Sequence, residues 1–145
     1  MPKFVLDWKA VIHPLDLGEY NPALAGQTIP VCVNPQQEWM EERARLLNGF
    51  MERYREYNAL LALKDAPADA LEKIQAFSAW TKDTFNPAVD DWYARLFSRG
   101  EETYTAAEIA EFARVDLHFY NWLLRRVIEL IEEHRTGRKK NSPPR

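Results

Sequence analysis

Along the chain the rhythm of apolar positions changes once, and abruptly. From Thr28 to Val33 it alternates, with Ile29, Val31 and Val33 on one face and Thr28, Pro30 and Cys32 on the other, the period of a half-buried strand. Pro30 has no N–H to give a ladder, so this strand is expected at an edge or with that side unpaired. Phe4 to Glu19 is rich in Val, Leu and Ile and broken by Pro14 and Gly18, which suits one or two short strands. Residues 1–34 therefore read as a β segment that needs a body to pack on.

After Asn34-Pro35 the pattern turns helical. Asn34 is a suitable N-cap, Pro35 suits a first helical position, and Glu38 places negative charge near the helix start. From Pro35 to about Leu63, Met40, Leu47, Tyr54 and Leu61 recur every seven residues, with Phe50 and Tyr57 between them. Such a helix is on the order of 40 Å long. Arg43 interrupts the seam, which argues against a dedicated coiled coil. A turn at Asp65-Ala66-Pro67 leads to a second helix expected from Ala68 to about Phe85, on the stripe Leu71, Ile74, Phe77 and Trp80. A third runs from Pro87 to Ser98, or the two form one helix kinked at Pro87. Thr105-Ala-Ala-Glu108 has the spacing of a capping box and opens a short helix through about Ala113. Asp116 can cap a last helix to about Thr136. Phe119, Trp122 and Leu130 widen the apolar stripe of that helix beyond one face, so it is either central to the core or covered by a partner.

The fold class expected is mainly α (α+β), a bundle of about four to five helices with an N-terminal β-hairpin or small antiparallel sheet. The helical body covers residues 35–136 and a disordered basic tail covers 137–145, all within one domain.

Composition narrows the function more than the fold. A chain of 145 residues can remove roughly 70% of its surface from water in one core. The content of five Trp, seven Phe and six Tyr excludes a disordered protein. A net charge of −3 argues against nucleic acid as a partner, since phosphate demands a basic surface. The exception is RTGRKKNSPPR at Arg135 to Arg145, with five basic residues and no acid. Cys32 is the only cysteine, which excludes an internal disulfide and suits a reducing compartment. MPKFVLDWKAVIH lacks the features of a signal peptide, and no apolar run approaches the roughly 18 residues of a membrane span. A cytoplasmic location without a membrane partner is expected.

Candidate chemistry is sparse. His13, His118 and His134 are scattered without metal-ligand spacing, Cys32 has no local base, and the acid pairs Asp90-Asp91, Glu101-Glu102 and Glu132-Glu133 are adjacent rather than convergent. The five glycines build no phosphate loop. No catalytic, cofactor or metal site is expected, and the chain reads as a non-enzyme. Thr105 to Arg126 has an outline of a helix-turn-helix DNA reader. Its would-be recognition helix, Leu-His-Phe-Tyr-Asn-Trp-Leu-Leu, is apolar where base edges require polar side chains.

Three pieces together resemble the small tail assembly chaperones of long-tailed bacteriophages and prophages: AGQTIPVCVNP, FNPAVDDWYARLFSRGEETYTAAEIAEF and RRVIELIEEHRTGRKKN. The resemblance implies a mostly α protein without enzymatic activity or cofactor. Its partner would be the hydrophobic tape-measure protein, bound in the bacterial host cytoplasm before the tail tube polymerises. Partner-binding surfaces are then expected at Trp39, Phe50, Tyr54 and Tyr57 of the first helix and at Phe119, Trp122 and Leu130 of the last. Core packing is the competing use of each. Ile29, Val31 and Val33 mark a strand for homo-oligomeric self-assembly. The alternatives are a helix-turn-helix-like DNA-binding module and a structural virion morphogenesis protein.

Overall fold

The computed structural model describes residues 3–65, 67–98 and 103–137. The expected basic tail beyond Gly137 and the middle of the Asp65-Ala66-Pro67 turn lie outside them. Strand β1 (Ile12–Asp16) and strand β2 (Thr28–Cys32) are joined through short 3-10 turns at Leu17–Glu19 and Pro22–Leu24. Five α-helices follow: α1 (Gln37–Ala62), α2 (Ala70–Trp80), α3 (Asn86–Phe97), α4 (Ala106–Val115) and α5 (Leu117–Thr136). The architecture is the expected helical bundle with a small antiparallel hairpin.

In the hairpin, Ile12 lies opposite Cys32, and the register runs to Asp16 opposite Thr28, which sets Pro14 directly against Pro30. The flanking bonds fix the phase: Val33 N–H donates to the Val11 carbonyl at 2.9 Å and Leu17 N–H to the Gln27 carbonyl at 2.8 Å. Bonded and non-bonded pairs alternate in an antiparallel ladder, so the proline pair is non-bonded and costs no ladder bond. The position each proline occupies would otherwise aim an N–H outward, so both outer edges of the hairpin lack a donor at their centre. Ile29, Val31 and Val33 are buried in the core. The self-assembly strand expected there is corrected accordingly: its side chains are already engaged and its edge is blunted. Cys32, expected on the open face, is buried too, with its Sγ 3.5 Å from Asn34 Oδ1.

Asn34 does not cap α1. Its side chain reaches back to the N-terminal segment, accepting from Val11 N–H at 2.7 Å and donating to the Lys9 carbonyl at 2.8 Å, while its own carbonyl accepts from Trp8 Nε1 at 2.8 Å. Helix α1 starts later, after Gln36, without a side-chain cap. The other expected caps form: Thr105 and Glu108 make both bonds of the capping box, and Asp116 accepts from Phe119 N–H. That backbone donor holds the Asp116 carboxyl below its ordinary range, against the opposing push of burial. Gly137 closes α5 in the left-handed conformation, φ 71°, that glycine adopts without strain.

Helices α2 and α3 are one rod interrupted by a π turn at Thr81–Phe85, in which Asn86 N–H bonds to the Thr81 carbonyl. Pro87 explains it. Proline lacks the N–H that an α-helix needs there and crowds the carbonyl one turn back, and widening the turn relieves both. Of the two readings of this region, a single helix deformed at Pro87 is the one that forms.

Helix α3 is the centre of the body. Trp92, Leu96 and Phe97 meet Ile109 of α4, Leu123 and Val127 of α5, and Leu15 and Val31 of the hairpin in one core. Trp92 Nε1 donates to the Trp39 carbonyl at 2.8 Å and Arg95 pairs with Glu42 at 2.7 Å, which ties α3 to the start of α1. Asp90, only 5% exposed, accepts from the Tyr120 hydroxyl of α5 at 2.7 Å. Burial pushes the Asp90 carboxyl above its ordinary range, partly offset by that bond, and burial together with the same bond pushes the Tyr120 phenol up.

Two outcomes follow from the core. Phe97→Ala should lower stability by about 3–5 kcal/mol in denaturant melts, because no neighbour can fill the cavity. Asp90 favours its protonated form in the fold, so its burden on stability is absent below its unfolded value of 3.8. The burden grows as pH rises through the higher native value. Asp90→Asn keeps the acceptor for Tyr120 without the charge; at neutral pH it should be at least as stable as the parent, with this slope removed. Thermal melts from about pH 3, below the unfolded value, up to about pH 8 check the sign.

Candidate functional site

Helix α1 contains no buried residue over its 26 positions, whereas α3 buries six of 12. The first turns of α1 lie on the body, and beyond them α1 has α2 as its packing partner. The turn between the two helices is short, so they run antiparallel as an arm. Their facing stripes have helical spacing: Arg53, Tyr57 and Leu60 on α1, and Lys73, Phe77 and Trp80 on α2.

Aromatic rings hold the arm together. Tyr57 stacks on Phe77 with centroids 4.8 Å apart, Phe50 stacks on Tyr54 at 5.7 Å, and Phe50 meets Phe85 edge-on at 4.7 Å. Trp80 meets Phe85 edge-on at 5.6 Å. Arg53 lays its guanidinium 4.1 Å from the Trp80 ring centroid and donates to the Gly49 carbonyl.

Between the two helices lies an open groove of about 730 Å³. Its floor is aromatic and aliphatic, and Arg53, Glu56 and Lys73 stand at its rim. Leu61, Leu63 and Leu71, near the tip, are 56%, 49% and 64% exposed. Of these three, Leu63 lines the groove itself. A second groove of about 270 Å³ lies between α1, α3 and α5, with Leu47, Val89, Leu124 and Ile128 in its lining and Arg43 and Arg125 beside them.

The residues expected at partner surfaces are distributed unevenly. Phe50, Tyr54 and Tyr57 come together on the arm. Trp39, on the same helix but about 17 Å from Phe50 along the axis, packs edge-on against Trp8. Phe119 and Trp122 are half-buried beneath Tyr20 at 5.3 and 5.4 Å, and Phe112 meets Phe119 at 5.5 Å. Tyr20 is itself held by a 3.0 Å bond to Asp116, and Arg126 pairs with Glu19 at 2.9 Å beside it. The widened stripe of α5 is thus covered by this chain's own turn. Leu130 is corrected outright: it is 4% exposed and belongs to the core. Phe77, Trp80 and Leu60 complete the groove and were not expected in a site. Their stripe was visible at i, i+3, i+4 and i+7 spacing but reads equally well as packing.

For the DNA-reading alternative, α4 and α5 are joined by Asp116 alone, not by the turn of three or four residues that a helix-turn-helix uses. Among the described residues no group of His, Cys, Asp and Glu is placed to hold a metal ion, and no helix is long and apolar enough to cross a membrane. No protein-family model, curated protein or solved structure matches the chain.

An arm with so little buried area opens at lower cost than the body. Hydrogen exchange should therefore show amides of α2 and of α1 beyond Phe50 exchanging well before those of α3 and α5.

Proposed function

We propose that this protein is a non-enzymatic chaperone that shelters an apolar helical stretch of a longer polypeptide. In the reading favoured here it is a phage tail assembly chaperone acting on a tape-measure protein in the bacterial host cytoplasm. The observation that carries this is the α1–α2 groove. Two antiparallel helices with stripes at helical spacing and an open apolar cleft lack only a third helix, and an amphipathic client helix would complete the bundle. Its anchors at i, i+3, i+4 and i+7 would enter between Tyr57 and Leu60 on one wall and Phe77 and Trp80 on the other.

The charges at the rim fit the same occupant. Arg53 and Lys73 would face acidic flanks of the client and Glu56 a basic one, so specificity and register come from the rim while affinity comes from the floor. A long helical client whose apolar stripes stand in water is prone to aggregate, and each chaperone copy would cover a few turns of it. The resemblance of the sequence to tail assembly chaperones supplies the identity of the client.

Co-expression with the long coiled-coil product of the neighbouring gene, followed by pulldown, tests this. Tyr57→Asp and Leu63→Asp should each weaken capture by at least about tenfold, roughly 1.4 kcal/mol, with the body's melting transition retained. Trp122→Asp should instead lower that transition, because its ring is packed under Tyr20. Capture untouched by both arm variants would refute the groove as the site.

A further inference from the structure

The N-terminal segment carries the most exposed apolar side chains among the described residues: Phe4, Val5 and Leu6 are 87%, 77% and 85% exposed. The segment that follows is not loose. Trp8 packs on Trp39, and Asn34 pins residues 8 to 11 with bonds to Trp8, Lys9 and Val11. A greasy run is thus tethered at a fixed point beside the first turn of α1.

We propose that Phe4 to Asp7 is a strap, hinged at Trp8, that closes over the second groove between α1, α3 and α5. Reach selects this groove. Along α1, Arg43 and Leu47 lie about 6 and about 12 Å beyond Trp39, on the stripe that Trp39 begins. From Trp8, an extended chain carries Leu6 about 7 Å and Phe4 about 13 Å, which matches that span. The arm's groove begins near Arg53, about 21 Å beyond Trp39, and lies out of range.

Chemistry selects it as well. In an extended segment Phe4, Leu6 and Trp8 share one face, so on closure the face that Trp8 already commits to the body would turn the other two, exposed in the open arrangement, inward with it. The groove offers Leu47, Val89, Leu124 and Ile128 to receive them. Arg43 and Arg125 line it with no acidic side chain, and Asp7, on the opposite face of an extended strap, would stay in water. Arg43 has a hydrogen bond with Tyr93 and a ring contact with Trp92 at 5.9 Å, and Arg125 a long contact with Glu129 at 3.7 Å. Closure covers two apolar surfaces at once, and the tether supplies a high local concentration of strap. The strap would keep the groove out of water until a competing ligand displaces it.

Paired cysteines test this in the full chain. Leu6→Cys with Leu47→Cys should, on mild oxidation, give an internal disulfide, seen as monomer mass with altered gel mobility, that neither single variant gives; native Cys32 is buried and is retained in all of them. Dimers alone, or no crosslink, would overturn the strap. Leu6→Asp gives an independent reading. A closed strap predicts a severalfold rise in fluorescence of an apolar dye, because the groove is uncovered. Unchanged or reduced dye binding means that Leu6 was never in the groove, and overturns the proposal.

Discussion

A single missing N–H organises this molecule. Proline at position 87 cannot close the α-helical bond to the preceding turn, and the backbone answers with the π turn at Thr81–Phe85 rather than with a break. The rod therefore continues, and α2 is carried outward as a direct extension of the central helix α3. The same turn delivers Phe85 to the junction, where it meets both Phe50 and Trp80. Body and arm are joined by a stiff element with one deformable point, so the orientation of the groove is inherited from the core.

The two halves are stabilised by different means. In the body, α3, α4, α5 and the hairpin share fully buried side chains and a desolvated Asp90–Tyr120 bond. In the arm, ring-on-ring contacts and one guanidinium stacked on an indole replace a dry interior. A region built this way retains its shape while leaving its apolar face available. This is the compromise expected of a surface that waits for a partner.

Local rules made most of the fold legible. Thr105 with Glu108, and Asp116 with Phe119, are contacts within four residues, and both caps form where the spacing places them. Long-range contacts were invisible to the same rules. Asn34 has the chemistry of a cap, yet its side chain is engaged with Lys9 and Val11, more than 20 residues away. Leu130 sits on an apolar stripe too wide to be ranked from periodicity, and its rotation into the core is decided by α3 and the hairpin. Phe119 and Trp122 have the exposure pattern of a binding face until Tyr20 arrives from a turn 96 residues before Asp116. Phe50, Tyr54 and Tyr57 come together on the arm, and this aromatic side of α1 was legible from its helical spacing. Their opposite wall on α2 was not, since a stripe that packs and a stripe that binds have the same spacing.

The facing prolines of the hairpin have a consequence for the cell that makes the protein. Ordered aggregates grow by templating, each incoming chain copying the hydrogen-bond edge of the last. A ribbon lacking a donor at the midpoint of either border is a poor seed for that growth, however concentrated the chain becomes. The exposed apolar side chains of the arm thus sit in a fold whose one sheet offers little to copy.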